Sequence, residues 1–184
     1  TRLKLRAETL SGTQEALYTG LADLALGITG EAAHPAEIQS APLGSVEFVF
    51  AVAPHHPLAS AKEPLDSEEI QRHRAVAAAD SSQRGRGVTV NLLPGQDVLT
   101  VATMQHKLEA QLRGLGCGWL PLPLARPYLD AGRLVAKPVS QPRRHMRVGY
   151  VWRAGSGEGR ALAWWLAQVE QPRTRLALLE NHHQ

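Results

Sequence analysis

Apolar and polar residues alternate one by one at the start of the chain. Leu3, Leu5 and Ala7 are separated by Arg2, Lys4, Arg6 and Glu8, the period of a strand with one buried face. Ala16, Leu17 and Leu21 then repeat at helical spacing behind Ser11-Gly12-Thr13, predicting a short helix over 14–20 with Ser11 or Thr13 as its N-cap and Gly20 as its stop. Residues 21–28 carry one charge, Asp23, and read as a second strand, which completes a β-α-β unit. The Pro-containing, polar segment 34–44 reads as a break before Val46–Ala53, a strand rich in Val and Phe that ends at His55-His56-Pro57-Leu58-Ala59.

Downstream, Leu65–Ile70 opens a helix with acidic residues in its first turn, where the helix dipole favours them. Segments 74–79 and 88–93 are expected strands around a turn-rich loop at 81–87, and Pro94-Gly95 closes the second. From Val98 the spacing turns helical: Val101, Met104, Leu108 and Leu112 share a face, and Gly114 stops the helix. A glycine-spaced apolar strand over 114–121, a short helix over 124–131 and strands over 134–139 and 146–152 follow. Gly155–Gly159 reads as a loop, and Leu162, Trp165, Leu166 and Val169 mark an amphipathic helix over 160–171. No internal repeat interrupts this order. Strands alternating with helices indicate α/β architecture, in whose open sheets ligands gather outside the carboxyl ends of strands. Ser11–Thr13 and Val98–Thr103 are the best-placed segments.

Composition narrows the field. The 184 residues, 43% hydrophobic and 20% charged, suit one well-packed domain or two small lobes rather than a disordered chain. No apolar stretch approaches the roughly 20 residues that span a bilayer, and no secretory signal is visible at the start. A single cysteine, Cys117, cannot form an internal disulfide, so a reducing compartment is the simplest expectation. The net charge of +3, from 20 Lys and Arg against 17 Asp and Glu, has its one dense cluster at Arg143, Arg144 and Arg147. With aromatics at 5%, that excess is too small to define a surface that tracks phosphates.

The chemistry-bearing residues form no enzymatic pattern. His55-His56 and His182-His183 are adjacent pairs without metal-ligand spacing, and surface or loop histidines are the plain reading. Cys117, between glycines in an apolar strand, suits a buried filler better than a nucleophile. Gly155-Ser-Gly-Glu-Gly159 is neither a nucleophile elbow nor a phosphate loop, and Gly114, Gly116 and Gly118 end in Pro121 instead of opening a helix. No metal, cofactor or catalytic residue is expected. Ser11-Gly12-Thr13 keeps two readings: a plain cap, or a helix N-terminus whose hydroxyls and N–H groups bind an anion.

Four segments, in order, resemble the effector-binding domain of LysR-type transcriptional regulators. Tyr18-Thr-Gly-Leu-Ala-Asp-Leu-Ala-Leu-Gly27 is similar to the family's L-x-x-G-x-L-D-L-A-I, with Ala22 and Leu26 as mild departures. His56-Pro57-Leu58-Ala59 matches H-P-L-A after the strand that begins at Val46. Gly114-Leu-Gly-Cys-Gly-Trp-Leu-Pro121 and Gly132-Arg-Leu134 resemble G-x-G-I-A-x-L-P and G-x-L-V, and Val148–Trp152 before an apolar helix resembles the closing elements.

This resemblance implies an α/β type II periplasmic-binding-protein fold: two α/β lobes, 1–55 with 145–184 and 56–144, and a cleft between them. It implies a small-molecule effector in that cleft, bound by Ser11, Gly12 and Thr13 on one side and by Thr100, Val101 and Thr103 at the start of the second lobe's helix on the other. Phe50 on the crossing strand would contact the apolar body of the effector. It further implies a cytoplasmic homodimer or homotetramer with no membrane partner. The family's first strand-helix unit and its winged helix-turn-helix have no counterpart in this sequence, so a fragment of a longer regulator is expected, with DNA reached only through that further domain. A solute-binding protein of the same fold, which would be exported, is the alternative; an enzyme on this scaffold, such as a deaminase-like porphyrin-synthesis protein, lacks visible catalytic residues.

Overall fold

A computed structural model describes residues 3–29, 34–83, 89–141, 144–155 and 159–180. The expected loop at 155–159 and the basic cluster at 143–147 fall partly outside them, as does the first residue of 88–93.

Two long strands organise the molecule. β2 (Ile38–Val52) pairs antiparallel with β7 (Arg144–Arg153) from Ile38↔Arg153 to Phe48↔Arg144. β1 (Leu24–Thr29) lies on the other edge of β7, while the carboxyl end of β2 pairs with β5 (Gly118–Pro121) and β6 (Val135–Ala136). The result is a five-stranded antiparallel sheet. A second, parallel sheet contains β3 (Ala75–Ala78) and β4 (Val98–Val101). Cys117 bridges to Ala75, so the residues just before β5 tie the two sheets together.

The helices cover these sheets. α1 (Ser11–Tyr18) packs on β1 through Leu17, which is fully buried with Ala25, Ile28, Ile38 and Val151. α3 (Met104–Leu112) covers β3 and places Leu108 with Ala51, Leu120, Ala125 and Leu134; Ala125 belongs to α4 (Leu122–Asp130). α2 (Ser67–Gln71) starts where Asp66 accepts the Glu69 N–H at 2.7 Å, and its Ile70 joins Phe50, Val52, Leu58, Leu65 and Trp119 in another cluster. α5 (Arg160–Glu170) buries Val169 against Leu43 and Tyr150, and α6 (Pro172–Glu180), which the sequence pattern did not foretell, sets Leu179 beside them.

Several expectations are corrected. Leu3–Thr9 is not a strand: Leu3 is 61% and Leu5 83% exposed, and no described strand offers their backbone a partner, which a period-two pattern needs before it becomes a sheet. The β-α-β unit is therefore not formed, and β1 runs antiparallel to β7. From Ile38 onward, the break expected at 34–44 is instead the first half of β2. Pro42 and Gly44 flank a bulge whose extra residue, Leu43, turns into the core. Residues 89–93 form no strand. Val98–Val101 is β4 rather than the start of a helix, because the β-branched run pairs with β3 and α3 begins only after Thr103.

Candidate functional site

The carboxyl ends of β3 and β4 face the start of α1. Ala79 N–H donates to Val101 O at 2.7 Å, adding one rung beyond the Ala78↔Val101 pair, and the chain then turns across α1. The Asp80 carboxylate accepts the Ser11 hydroxyl and, at 3.2 Å, the Gly12 N–H; its Oδ1 also accepts the Ser82 N–H at 3.0 Å. Thr9 N–H donates to Ser81 Oγ at 2.9 Å, and Ser81 Oγ donates to Glu8 at 2.7 Å. Glu15, one turn into α1, accepts the Ser82 hydroxyl and, at 2.9 Å, the Gln83 N–H. Two segments almost 70 positions apart are thus sewn together on the cleft side by hydroxyls, amides and carboxylates.

This geometry corrects the expectation that Ser11 or Thr13 caps α1. Leu10, not Ser11 or Thr13, stands at the N-cap of α1 and supplies no side-chain acceptor. Asp80 supplies it from another part of the chain, and a carboxylate at a helix N-terminus gains from both the free N–H groups and the dipole. Gly12 is buried because segment 79–83 passes over it: a Cβ there would lie 2.8 Å from the Ser81 carbonyl carbon and 2.9 Å from the Ser82 nitrogen. Thr13 is half-buried, its N–H donating to Leu10 O.

On the other side, Thr100 and Val101 belong to β4, with Thr100 exposed opposite Ala77, while Thr103 caps α3 by accepting the His106 N–H at 3.1 Å. The structure therefore links Ser11 and Gly12 to Val101 through the adjacent residues Asp80 and Ala79. It does not bring Phe50 there. Phe50 is 4% exposed, pairs with Trp119 in register and sets its ring edge-on against the indole at 5.7 Å. Over the same indole lies the Arg144 guanidinium, 5.0 Å from the ring and also bonded to Asn91 and Gln141. Asp80 and Glu15 escaped the sequence reading; the run Asp80-Ser-Ser82 after an alanine-rich strand was the available signal.

Other polar groups have clear roles. His56 is buried, accepts the Leu58 N–H at Nδ1 and lies 5.3 Å from the His73 ring; burial, with His73 and His55 nearby, holds its pKa below the ordinary value. Cys117 is fully buried, and desolvation pushes its thiol up to about 11, in keeping with a filler. Among the described residues no cluster of His, Cys, Asp or Glu is arranged to hold a metal, and no helix is long and apolar enough to cross a membrane.

A five-stranded antiparallel sheet built on two long strands, a smaller parallel sheet tied to it at Cys117, and helices over both are the type II periplasmic-binding-protein fold. Solved structures agree. Full-length LysG from Corynebacterium glutamicum with bound effector Arg superposes with a TM-score of 0.64 at 22% identity, covering 91% of this chain and 56% of that one. The regulatory domain of the LysR family regulator MetR from N. meningitidis gives 0.62 at 18%, covering 92% and 79%.

The chain belongs to the LysR substrate binding domain family, whose model matches residues 1–172. It is 40% identical over 169 residues to YeeY of Escherichia coli (strain K12), an uncharacterized HTH-type transcriptional regulator, covering 92% of this chain and 54% of the relative. It is 37% identical over 113 residues to the HTH-type transcriptional activator AllS of Klebsiella pneumoniae, covering 61% and 42%. The chain thus spans about half the length of the curated relatives it matches.

Proposed function

We propose that this chain is the effector-sensing part of a LysR-type, DNA-binding transcriptional regulator. The family match over residues 1–172 carries the reading, and the relatives' description as transcriptional regulators favours it over an exported solute-binding protein. DNA would be read by another part of the full protein, and the signal relayed through homodimer or homotetramer contacts in the cytoplasm, with no catalytic step and no cofactor.

In this reading residues 1–55 and 145–184 form one lobe and 56–144 the other, so the bonds between α1 and segment 79–83 join the lobes across the cleft. A small effector enters beside Ser11, Gly12, Thr13, Thr100, Val101 and Thr103. An effector acceptor group competes with Asp80 for the Ser11 hydroxyl and the Gly12 N–H. Exchanging an internal bond for one to ligand shifts the hinge only by the difference between the two.

The test is a thermal-shift screen of the chain with organic acids, amino acids and nucleobases, followed by a promoter reporter driven by the full regulator. A compound that stabilises the chain and changes reporter output supports the reading. Reporter output and promoter occupancy indifferent to every compound that binds the chain reject it.

A further inference from the structure

β5 reaches its place through a fork. Cys117 still runs beside β3, its N–H donating to Arg74 O and its carbonyl accepting the Val76 N–H, each at 2.9 Å. One residue later the chain has changed sheets, and Gly118 stands opposite Ala51 of β2. Gly118 has a φ of +156°, and a Cβ there would lie 3.3 Å from Val76 O and 3.4 Å from Lys107 Nζ.

α3 lies over this fork and points two polar side chains at it, one turn apart. Gln111 is fully buried; its Nε2 donates to Ala51 O and to Gly118 O, each at 2.9 Å, one bond to each strand. Those two bonds fix the amide's orientation and leave Oε1 buried without a partner. Lys107 is 6% exposed, and among the described residues its ammonium makes no hydrogen bond and no ion pair. The titratable group facing it is the Cys117 thiol, kept neutral by burial. Lys137, just as buried, shows what a settled lysine looks like here: its Nζ donates to Ala59 O and Ala61 O and pairs with Glu63.

Lys107, whose ammonium has no partner among the described residues, and the orphaned Gln111 Oε1 stand one turn apart where the chain passes from one sheet to the other, and a ligand carrying the complementary groups satisfies both. We propose that this fork is a subsite for the carboxylate of a small acidic effector. Lys107 holds the carboxylate, and Gln111 Oε1 accepts a hydrogen bond from a hydroxyl or N–H on the same molecule. The assignment rests on the effector-sensing reading and adds its ligand class. A neutral effector leaves the ammonium uncompensated, and a cationic one adds repulsion. With both groups almost fully covered, entry requires a local opening in which α3 lifts from the strands beneath it.

The experiment is calorimetry and thermal denaturation of the 184-residue chain with three probe sets: hydroxy- and acylamino-carboxylates (glycolate, malate, N-acetylglycine), their neutral amides, and diamines. Carboxylates should bind, their amides should not, and Lys107→Met should weaken carboxylate binding by about 30-fold or more while leaving the unliganded melting temperature unchanged or higher. That last pairing separates a ligand-binding lysine from a structural one, whose loss lowers the melting temperature. Carboxylate affinity unchanged in Lys107→Met, binding of amides or diamines alone, or no binding by any set overturns the assignment. The first two outcomes leave effector sensing standing, and the promoter reporter judges that reading separately.

Discussion

Asp80 caps α1 from 68 positions away: its Oδ1 accepts the Gly12 N–H at 3.2 Å, in the place a local Ser, Thr or Asp normally fills. The cap is therefore also a tertiary clamp, and breaking it separates two segments as well as fraying a helix. Asp80→Ala should destabilise the chain by about 1–3 kcal/mol, the range for losing a cap together with a part-buried charged acceptor. Urea denaturation measures the loss, and hydrogen exchange should show the Gly12 and Ser82 amides opening faster. Unaltered protection at both amides would show that the clamp is not held by Asp80.

Gly12 sets two effects of opposite sign against each other. Alanine in a helix gains about 1 kcal/mol over glycine by propensity alone. Here the new methyl meets the Ser81 and Ser82 backbone below 3 Å, so segment 79–83 has to move. Overpacking of this kind costs about 1–3 kcal/mol, and the clash wins. Gly12→Ala should melt at a lower temperature than the wild type; a higher one would place segment 79–83 farther from α1.

What was legible in the sequence follows from the range of the interaction that decides each element. The second half of β2, the buried face of α3 from Met104 to Leu112, the α2 start at Asp66 and the amphipathic α5 are fixed by neighbours within a few positions, and their periodicity shows. The first half of β2 was hidden because Pro42 and Gly44 carry a turn signal, and only pairing with β7 reveals them as a bulge. Leu3–Thr9 has a strand's pattern without a partner, and a pattern alone makes no sheet. Ser11 and Thr13 looked like caps because local rules put caps there; the actual capping residue lies on another element. The site was read as two loops, while the connection between them, Asp80, was missed.

Thr100 and Thr103 stand three positions apart but do different work. Thr103 caps α3, and Thr103→Ala should cost about 1 kcal/mol of stability. Thr100 is exposed on β4, and Thr100→Ala should leave stability nearly unchanged while weakening effector binding, as should Thr13→Ala. Calorimetry with a compound from the ligand screen decides; equal affinity in Thr13→Ala and Thr100→Ala removes both from the site.

His56 predicts a direction with pH. Its pKa in the folded chain lies below the ordinary 6.5, chiefly through burial. Between the two values the unfolded chain holds the extra proton, so stability rises with pH across that window. The His56 contribution is complete above about pH 6.5 and is lost as pH falls toward the folded value. Protonation would also end acceptance of the Leu58 N–H at Nδ1. Urea midpoints should fall between pH 7.5 and 5.5, about two pH units, and fall less in His56→Asn, whose amide oxygen still caps the turn. Equal slopes would assign the acid sensitivity to another group.

Two lysines with the same 6% exposure should respond oppositely to the same substitution. Lys137 is matched: Ala59 O and Ala61 O each accept from it at 3.1 Å, and Glu63 pairs with it. Lys137→Met leaves two carbonyls and a carboxylate without their cation, and because the loop it holds joins the end of β2 to α2, the loss should spread to both. Removing one partner of a buried pair costs about 3–5 kcal/mol; the half-exposed Glu63 places this case at the lower end. Lys107→Met removes an ammonium with no such partners and should cost nothing or stabilise the chain. Chemical denaturation of the two variants side by side gives the comparison: Lys137→Met well below the wild type, Lys107→Met level with it or above. If both fall equally, the Lys107 ammonium is already compensated in the unliganded chain and burial alone does not set its energy.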